Sequence, residues 1–189
     1  MGPAARIWLA ALALLIPGMP GFAQEDAWAL LQRPGYAVFM RHSGTAGGAG
    51  DPPGFVLADC ATQRNLTDTG RAQARRTGEA LKAKGIAFDR VLTSPWCRCR
   101  DTARLVAGAD GEVMPALSNL VGRHERTADQ TAMLRRTLAG LTADARVLFV
   151  THGIVIGALT GINPAEGEMV IVSVGTAGDI AIAGRLRVE

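Results

Sequence analysis

No charge of either sign dominates this chain: 20 basic and 17 acidic side chains in 189 residues leave a formal net charge of +3. The basic residues are scattered, which argues against nucleic acid as a partner. No run approaches the roughly 20 apolar residues that a spanning helix needs, and no solenoid-length repeat or low-complexity tract is visible. Aspartates do not cluster and no Gly-x-x-x-x-Gly-Lys loop occurs, so a nucleotide with magnesium is not indicated. Cysteine is limited to three residues and histidine to three. What remains is a globular composition, 48% apolar and 20% charged, long enough to bury a core in one domain.

The N-terminus reads differently from the rest. Arg6 precedes the apolar run Ile7 to Ile16, which Pro17, Gly18, Pro20 and Gly21 end. Gly21 and Ala23 supply small side chains before a cut after Ala23, so residues 1–23 are expected to be a secretory signal peptide and 24–189 the mature domain. The expected location is periplasmic or secreted, with no stable membrane anchor after cleavage. Export bears on Cys60, Cys97 and Cys99, whose odd number leaves one thiol over. Cys97 and Cys99 are too close to bridge each other comfortably. Either could reach Cys60, while inert core thiols are the other main reading. Cys97-Arg-Cys99 is not a zinc knuckle, and no metal site is assigned.

Along the mature chain, Asp26 to Gln32 predicts a short helix, and Tyr36 to Met40 a strand covered on both faces. Residues 43–64 are rich in glycine and proline without periodicity, which predicts a long functional loop. Thr67 can cap a helix to about Lys84, with Gly70, Ala74, Thr77 and Leu81 on its packed face. A strand at Arg90–Thr93 precedes a helix to about Ala107, and Glu112 to Met114 reads as a third strand. Thr127-Ala-Asp-Gln130 has the form of a capping box ahead of Leu134, Leu138 and Leu141. Val147–Val150 is a second doubly covered strand, Ile154–Leu159 a short helix, and Met169–Val174 and Asp179–Arg187 two late strands. Strands alternating with helices predict an α/β sandwich on a mostly parallel sheet, with an antiparallel edge from the late pair.

The chemistry sits at one topological address. Arg41-His42, Ser94-Pro-Trp-Cys-Arg98 and Thr151-His152-Gly153 each follow directly on a predicted strand. In open α/β sheets ligands bind beyond the carboxyl ends of the strands. Two of the chain's three histidines and two arginines would converge there if the strands are neighbours. Guanidinium forks match phosphate oxygens and keep their charge. A neutral imidazole can attack phosphorus, and cationic donors stabilise a transferring phosphoryl group.

Arg41-His42-Ser43, Leu66-Thr-Asp-Thr-Gly-Arg-Ala-Gln-Ala74, Ser94-Pro-Trp-Cys-Arg-Cys-Arg-Asp-Thr-Ala103 and Val150-Thr-His-Gly153 resemble, in order, the motifs of the histidine phosphatase (phosphoglycerate mutase-like) superfamily. The resemblance implies a three-layer α/β sandwich with a mostly parallel central sheet. It implies His42 as the nucleophile that becomes phosphorylated, with Arg41, Arg98 and His152 holding the phosphoryl group, and no metal or other cofactor. Ser43 stands where the family usually has glycine. The family often places an acidic proton donor after the third strand, and Glu125 is the only carboxylate of the loop 117–126, with His124 and Asp129 in reserve. Asp59-Cys-Ala-Thr-Gln-Arg-Asn65 with Cys97 and Cys99 is similar to an exported bacterial subgroup that includes phosphatases of lipopolysaccharide-core sugar phosphates. Gln63, Arg64 and Asn65 end the loop that must close near His42, and are candidate substrate contacts.

The resulting expectation is a metal-independent phosphomonoester hydrolase acting through a phosphohistidine on a small phosphorylated substrate, with a cell-envelope sugar phosphate as one candidate. A phosphomutase or phosphotransferase of the same fold, a phosphohistidine protein phosphatase, and a non-catalytic phospholigand-binding module are the rivals. Export speaks against the first two kinds of rival, and an intact His42 against the last.

Overall fold

The computed structural model describes residues 24–189 except Ala49 and Thr176. The expected signal peptide, 1–23, lies outside the described residues. Helix α1 (Gln24–Leu31) leads into strand β1 (Tyr36–Arg41), and α2 (Asp68–Ala83) follows the long loop. Strand β2 (Arg90–Thr93), helix α3 (Cys97–Ala107) and the short β3 (Glu112–Val113) come next. Then come α4 (Thr127–Ala139), β4 (Val147–Thr151), α5 (Gly153–Thr160), β5 (Met169–Val174) and β6 (Ile180–Leu186). Among the described residues no helix is long and apolar enough to cross a membrane.

The six strands form one sheet in the order β3-β2-β4-β1-β5-β6. The four on the β3 side are parallel, and β5 and β6 add antiparallel pairs at the other edge. Alternation along each strand builds two cores. Val38, Met40, Leu148 and Val150 face one way and pack with Leu31, Leu81, Ala103 and Trp96 from the side of α1, α2 and α3. Ala37, Phe39, Val147 and Phe149 face the other way and pack with Leu134, Leu138, Val155 and Ile156 of α4 and α5. This two-sided covering explains why β1 and β4 read as unbroken apolar runs. The result is a three-layer sandwich with a mostly parallel central sheet.

Register aims the site. In the β1–β4 pair Arg41 lies opposite Thr151, and in the β2–β4 pair Thr93 lies opposite Val150. His42, Ser94 and His152 therefore leave the sheet at one level, on three adjacent parallel strands. Helix α2 begins as expected, with the Thr67 hydroxyl accepting from Gly70 N–H, and Gly70, Ala74, Thr77 and Leu81 are its buried residues. Gly70 has no room for a β-carbon, because the Gly44 carbonyl lies directly against its Cα. That close approach pins the segment just after His42 onto α2.

The capping box at Thr127 does not form. The chain enters α4 through a 3-10 turn, His124–Arg126, and Thr127 is already helical at φ −57° and ψ −48°. Its hydroxyl is thus past the position from which an N-cap could accept. Gln130 turns inward instead and donates to the carbonyls of Ala116 and Ser118 at 3.1 and 3.0 Å. It ties α4 to the segment after β3, whose Leu117 carbonyl accepts from the Thr151 hydroxyl at 2.7 Å.

Cys60 is bonded to Cys97, and Cys99 remains a buried free thiol. The two α3 candidates stand two residues apart on a helix, about 200° around its axis, so only one can face the loop. The bridge closes a separation of 37 residues, for which chain entropy gives about 4 kcal/mol of stabilisation.

Candidate active site

His42 is 2% exposed. Its backbone N–H continues the β1–β4 ladder by donating to Thr151 O at 2.9 Å. The ring Nδ1 lies 2.9 Å from the Ser43 carbonyl. A carbonyl can only accept, so Nδ1 carries the proton and Nε2 keeps its lone pair. Burial, together with the charges of Arg98, Arg41 and Arg64, outweighs that hydrogen bond and lowers the His42 pKa to about 3. The ring is therefore neutral at neutral pH. Ser43 is fully buried, so a small side chain is accommodated there. Its N–H donates to Thr102 Oγ1 at 3.1 Å, and that hydroxyl donates to Arg98 O at 2.7 Å, which fixes α3 against the His42 backbone.

His152 stands beside it, with ring centroids 5.5 Å apart in an edge-on arrangement, and Trp96 packs edge-on against His152 at 5.4 Å. Burial, then the charges of Arg98, His42 and the other arginines, holds the His152 pKa well below the ordinary imidazole value. Its Nδ1 is 3.4 Å from Arg98 Nη2, and its Nε2 is 2.9 Å from Ser94 Oγ. Arginine can only donate, so in this state Nδ1 accepts and Nε2–H donates to Ser94.

Three guanidinium groups converge on these rings. Arg98 is fully buried on α3, and Asp51 of the long loop takes both of its terminal nitrogens. Arg41 donates to the Pro164 carbonyl at 2.9 Å and faces Glu166 at 3.7 Å. Arg64 donates to Thr45 Oγ1 and Gly48 O, both at 2.8 Å. Arg41, Arg64 and Arg98 each keep a buried Nε without a hydrogen-bond partner in the protein. Such donors call for an acceptor, because a buried unpaired N–H is costly. Three guanidinium charges face two carboxylates, Asp51 and Glu166, and the balance suits an added anion.

The other expected contacts divide. Arg64 is brought to the cluster, but Gln63 is not available as a substrate contact: its Oε1 accepts from Cys97 N–H at 3.0 Å and its Nε2 donates to Leu57 O at 2.8 Å. Asn65 donates to the Cys60 carbonyl at 2.6 Å, so it too braces the loop near the disulfide. Glu125 is exposed on the 3-10 turn before α4. Among the described residues it has no hydrogen bond or ion pair with the cluster; the residue of that loop that reaches over the site is Arg123, whose guanidinium lies 5.4 Å from the Trp96 ring and 5.9 Å from Phe55. Asp51 and Glu166 are site residues that strand-end reasoning misses. Asp51 sits before two prolines in a glycine-rich stretch, where an aspartate reads as a turn former.

The two histidines link the site to stability. Unfolded imidazoles take up protons near pH 6.5, whereas His42 resists until about 3 and His152 is displaced in the same direction. The unfolded state binds more protons in that window, so this contribution is complete above about pH 6.5 and is lost as pH falls towards 3, by about 1.4 kcal/mol per pH unit for His42, with His152 acting in the same direction. Urea unfolding between pH 7 and 4 is expected to show this decline, and stability that rises on acidification would contradict the assignment.

The ends of parallel strands, the long loop and helix α3 thus bring two neutral histidines and three arginines together in an α/β protein. The sequence model of the histidine phosphatase superfamily (branch 1) matches residues 38–128 of this chain. The 2,3-bisphosphoglycerate-dependent phosphoglycerate mutase of Xanthobacter autotrophicus is 33% identical over 72 residues, 38% of this chain and 35% of that protein. The corresponding mutase of Parvibaculum lavamentivorans is 46% identical over 41 residues, 22% of this chain. The chain thus spans between a fifth and about a third of the length of these curated relatives. In fold it is similar to the protein histidine phosphatase SixA solved with tungstate, with a TM-score of 0.55 and 21% identity over 80% of this chain and 96% of that one. It is likewise similar to a phosphoserine phosphatase of Entamoeba histolytica solved with 3-phosphoglyceric acid, with a TM-score of 0.59 and 14% identity over 82% of this chain and 98% of that one.

Proposed function

We propose that this protein hydrolyses small phosphomonoesters through a phosphohistidine on His42. The observation that carries this reading is the neutral His42 ring, with Nδ1–H committed to Ser43 and the Nε2 lone pair left over, set among three guanidinium groups. Arg41 and Arg98 hold the phosphoryl oxygens, His152 donates to them from Nδ1 once its tautomer turns so that Nε2 accepts from the Ser94 hydroxyl, and Arg64 adds charge at the rim. Nε2 attacks phosphorus, the P–O ester bond breaks, and the alcohol leaves after taking a proton. Water then attacks the phosphohistidine, releasing phosphate and restoring the ring. The guanidinium groups supply the positive charge that a metal ion provides in other phosphoryl-transfer sites, so the chemistry is metal-independent. A neutral nucleophile and fixed donors serve hydrolysis and transfer alike, whereas a pure binding module has no use for a free imidazole nitrogen beside the anion site. Residues 1–23 direct the mature chain out of the cytoplasm, and the substrate class in that compartment includes sugar phosphates of the cell envelope.

Phosphate release from an aryl phosphate is expected to continue undiminished in the presence of a strong chelator. Loss of activity under chelation, restored by a divalent metal, would contradict the metal-independent mechanism.

A further inference from the structure

The carboxylate of Asp51 is the unexplained group in this site. It is carried on the long loop, 47 residues before Arg98 in sequence, yet its side chain is only 2% exposed and the Arg98 side chain is fully buried. The four hydrogen bonds it accepts define a cradle. Oδ1 accepts from Arg98 Nη1 at 2.6 Å and from Arg64 N–H at 3.1 Å, and Oδ2 accepts from Trp96 Nε1 at 2.9 Å and Arg98 Nη2 at 3.3 Å. The same Nη2 lies 3.4 Å from His152 Nδ1, so Asp51 and His152 share one nitrogen. A carboxylate therefore occupies the fork of the arginine that the phosphohistidine reading assigns to the phosphoryl group.

We propose, on the basis of that reading, that Asp51 is the catalytic residue that protonates the leaving alcohol and then deprotonates the attacking water. The four terminal N–H bonds of Arg98 are already committed, two to Asp51, one to the Arg64 carbonyl at 3.2 Å and one to His152 Nδ1, so a phosphoryl group can take the terminal nitrogens only by displacing one of these partners. A bound phosphate monoester displaces the carboxylate from the guanidinium and leaves it beside a new negative charge. While Asp51 is paired with Arg98, burial favours the neutral acid, but the hydrogen bonds and charge of Arg98, with the N–H groups of Trp96 and Arg64, outweigh it and hold Asp51 ionised. Loss of the Arg98 bonds and the approach of a phosphate both favour the protonated form. Substrate binding therefore loads the acid that the reaction needs, with a proton taken from solvent or from the monoanionic ester.

The steps balance. As His42 Nε2 forms its bond to phosphorus, the P–O bond breaks and the Asp51 proton passes to the departing oxygen. The Asp51 carboxylate then accepts a proton from the water that cleaves the N–P bond, and that water's oxygen leaves in inorganic phosphate. Among the other carboxylates, Glu166 is held by Arg41 and by Thr45, whose hydroxyl donates to it at 2.8 Å. Glu125 is exposed and outside the cluster. Asp51 is the carboxylate that the fold inserts between Arg98 and Trp96.

The test compares an alkyl ester, β-glycerol phosphate, with 4-nitrophenyl phosphate, whose leaving group needs little protonation. Each variant is scored by its own ratio of alkyl to aryl kcat, which does not depend on how much of it is folded. Asp51→Asn is expected to lower kcat for the alkyl ester by about 10²–10⁴-fold, the range of general-acid contributions, and to lower it far less for the aryl ester. Asp51→Glu is expected to restore part of the ratio. Equal losses on both esters, or faster turnover of both, would reduce Asp51 to a brace or a plug and overturn the proposal. A selective loss in Glu125→Gln and not in Asp51→Asn would overturn it as well. If the unaltered protein released phosphate from neither ester, the hydrolase reading itself would fall, and this assignment with it.

Discussion

Replacing His42 by alanine is expected to reduce phosphate release from 4-nitrophenyl phosphate by about 10⁴-fold or more, as loss of a covalent nucleophile does in other enzymes. Affinity for inorganic phosphate should change by less than about tenfold, because Arg41, Arg98, His152 and Arg64 remain. The split between turnover and binding separates the readings of the site. A hydrolase loses catalysis and keeps the anion, whereas a binding module has no turnover to lose. The variant should fold: it removes one buried ring and leaves the Ser43 carbonyl without its donor, a cost of about 1–3 kcal/mol. Turnover within tenfold of the unaltered protein would show that another group attacks phosphorus.

The second large effect belongs to Arg98. Changing it to methionine, of similar reach and without charge, should abolish phosphate binding and turnover. It should also destabilise the fold, because Asp51 would then be an uncompensated buried carboxylate. Removing one partner of a buried ion pair costs about 3–5 kcal/mol. The double variant Arg98→Met with Asp51→Asn is expected to recover much of that stability while remaining inactive. A double variant no more stable than Arg98→Met alone would mean that the carboxylate relaxes into solvent when its partner is lost, against the burial seen here.

Much of this architecture was legible in the chain. Apolar runs covered on both faces, Tyr36–Met40 and Val147–Val150, signalled central strands, and the residues following them marked the site. The long-range contacts were not legible. Asp51 finds Arg98 only through the folding of a loop whose composition signals turns and nothing more. Gln63 looked free to meet a ligand, but its amide is consumed by Cys97 N–H and Leu57 O. The choice of Cys97 over Cys99 depends on how α3 is rotated: Cys99 faces inward, its Sγ 3.6 Å from His152 Nε2, where burial raises the thiol pKa to about 12. Thr127 failed as a cap because a 3-10 turn placed ahead of it set its backbone helical first. For Asp51, Gln63 and Cys97 a local pattern was overridden by a tertiary contact that spacing along the chain does not encode, and for Thr127 by the turn just ahead of it.

The central claim is that phosphorus becomes bonded to His42. The direct measurement is to mix the protein with 4-nitrophenyl phosphate, quench in base during turnover, digest, and locate the phosphoryl group by mass spectrometry. The account predicts one phosphoryl group on the peptide containing His42, stable in base, lost in acid, and absent from the His42→Ala variant. Steady turnover with no phosphorylated peptide, or with the phosphoryl group on another side chain such as Ser94, would contradict it.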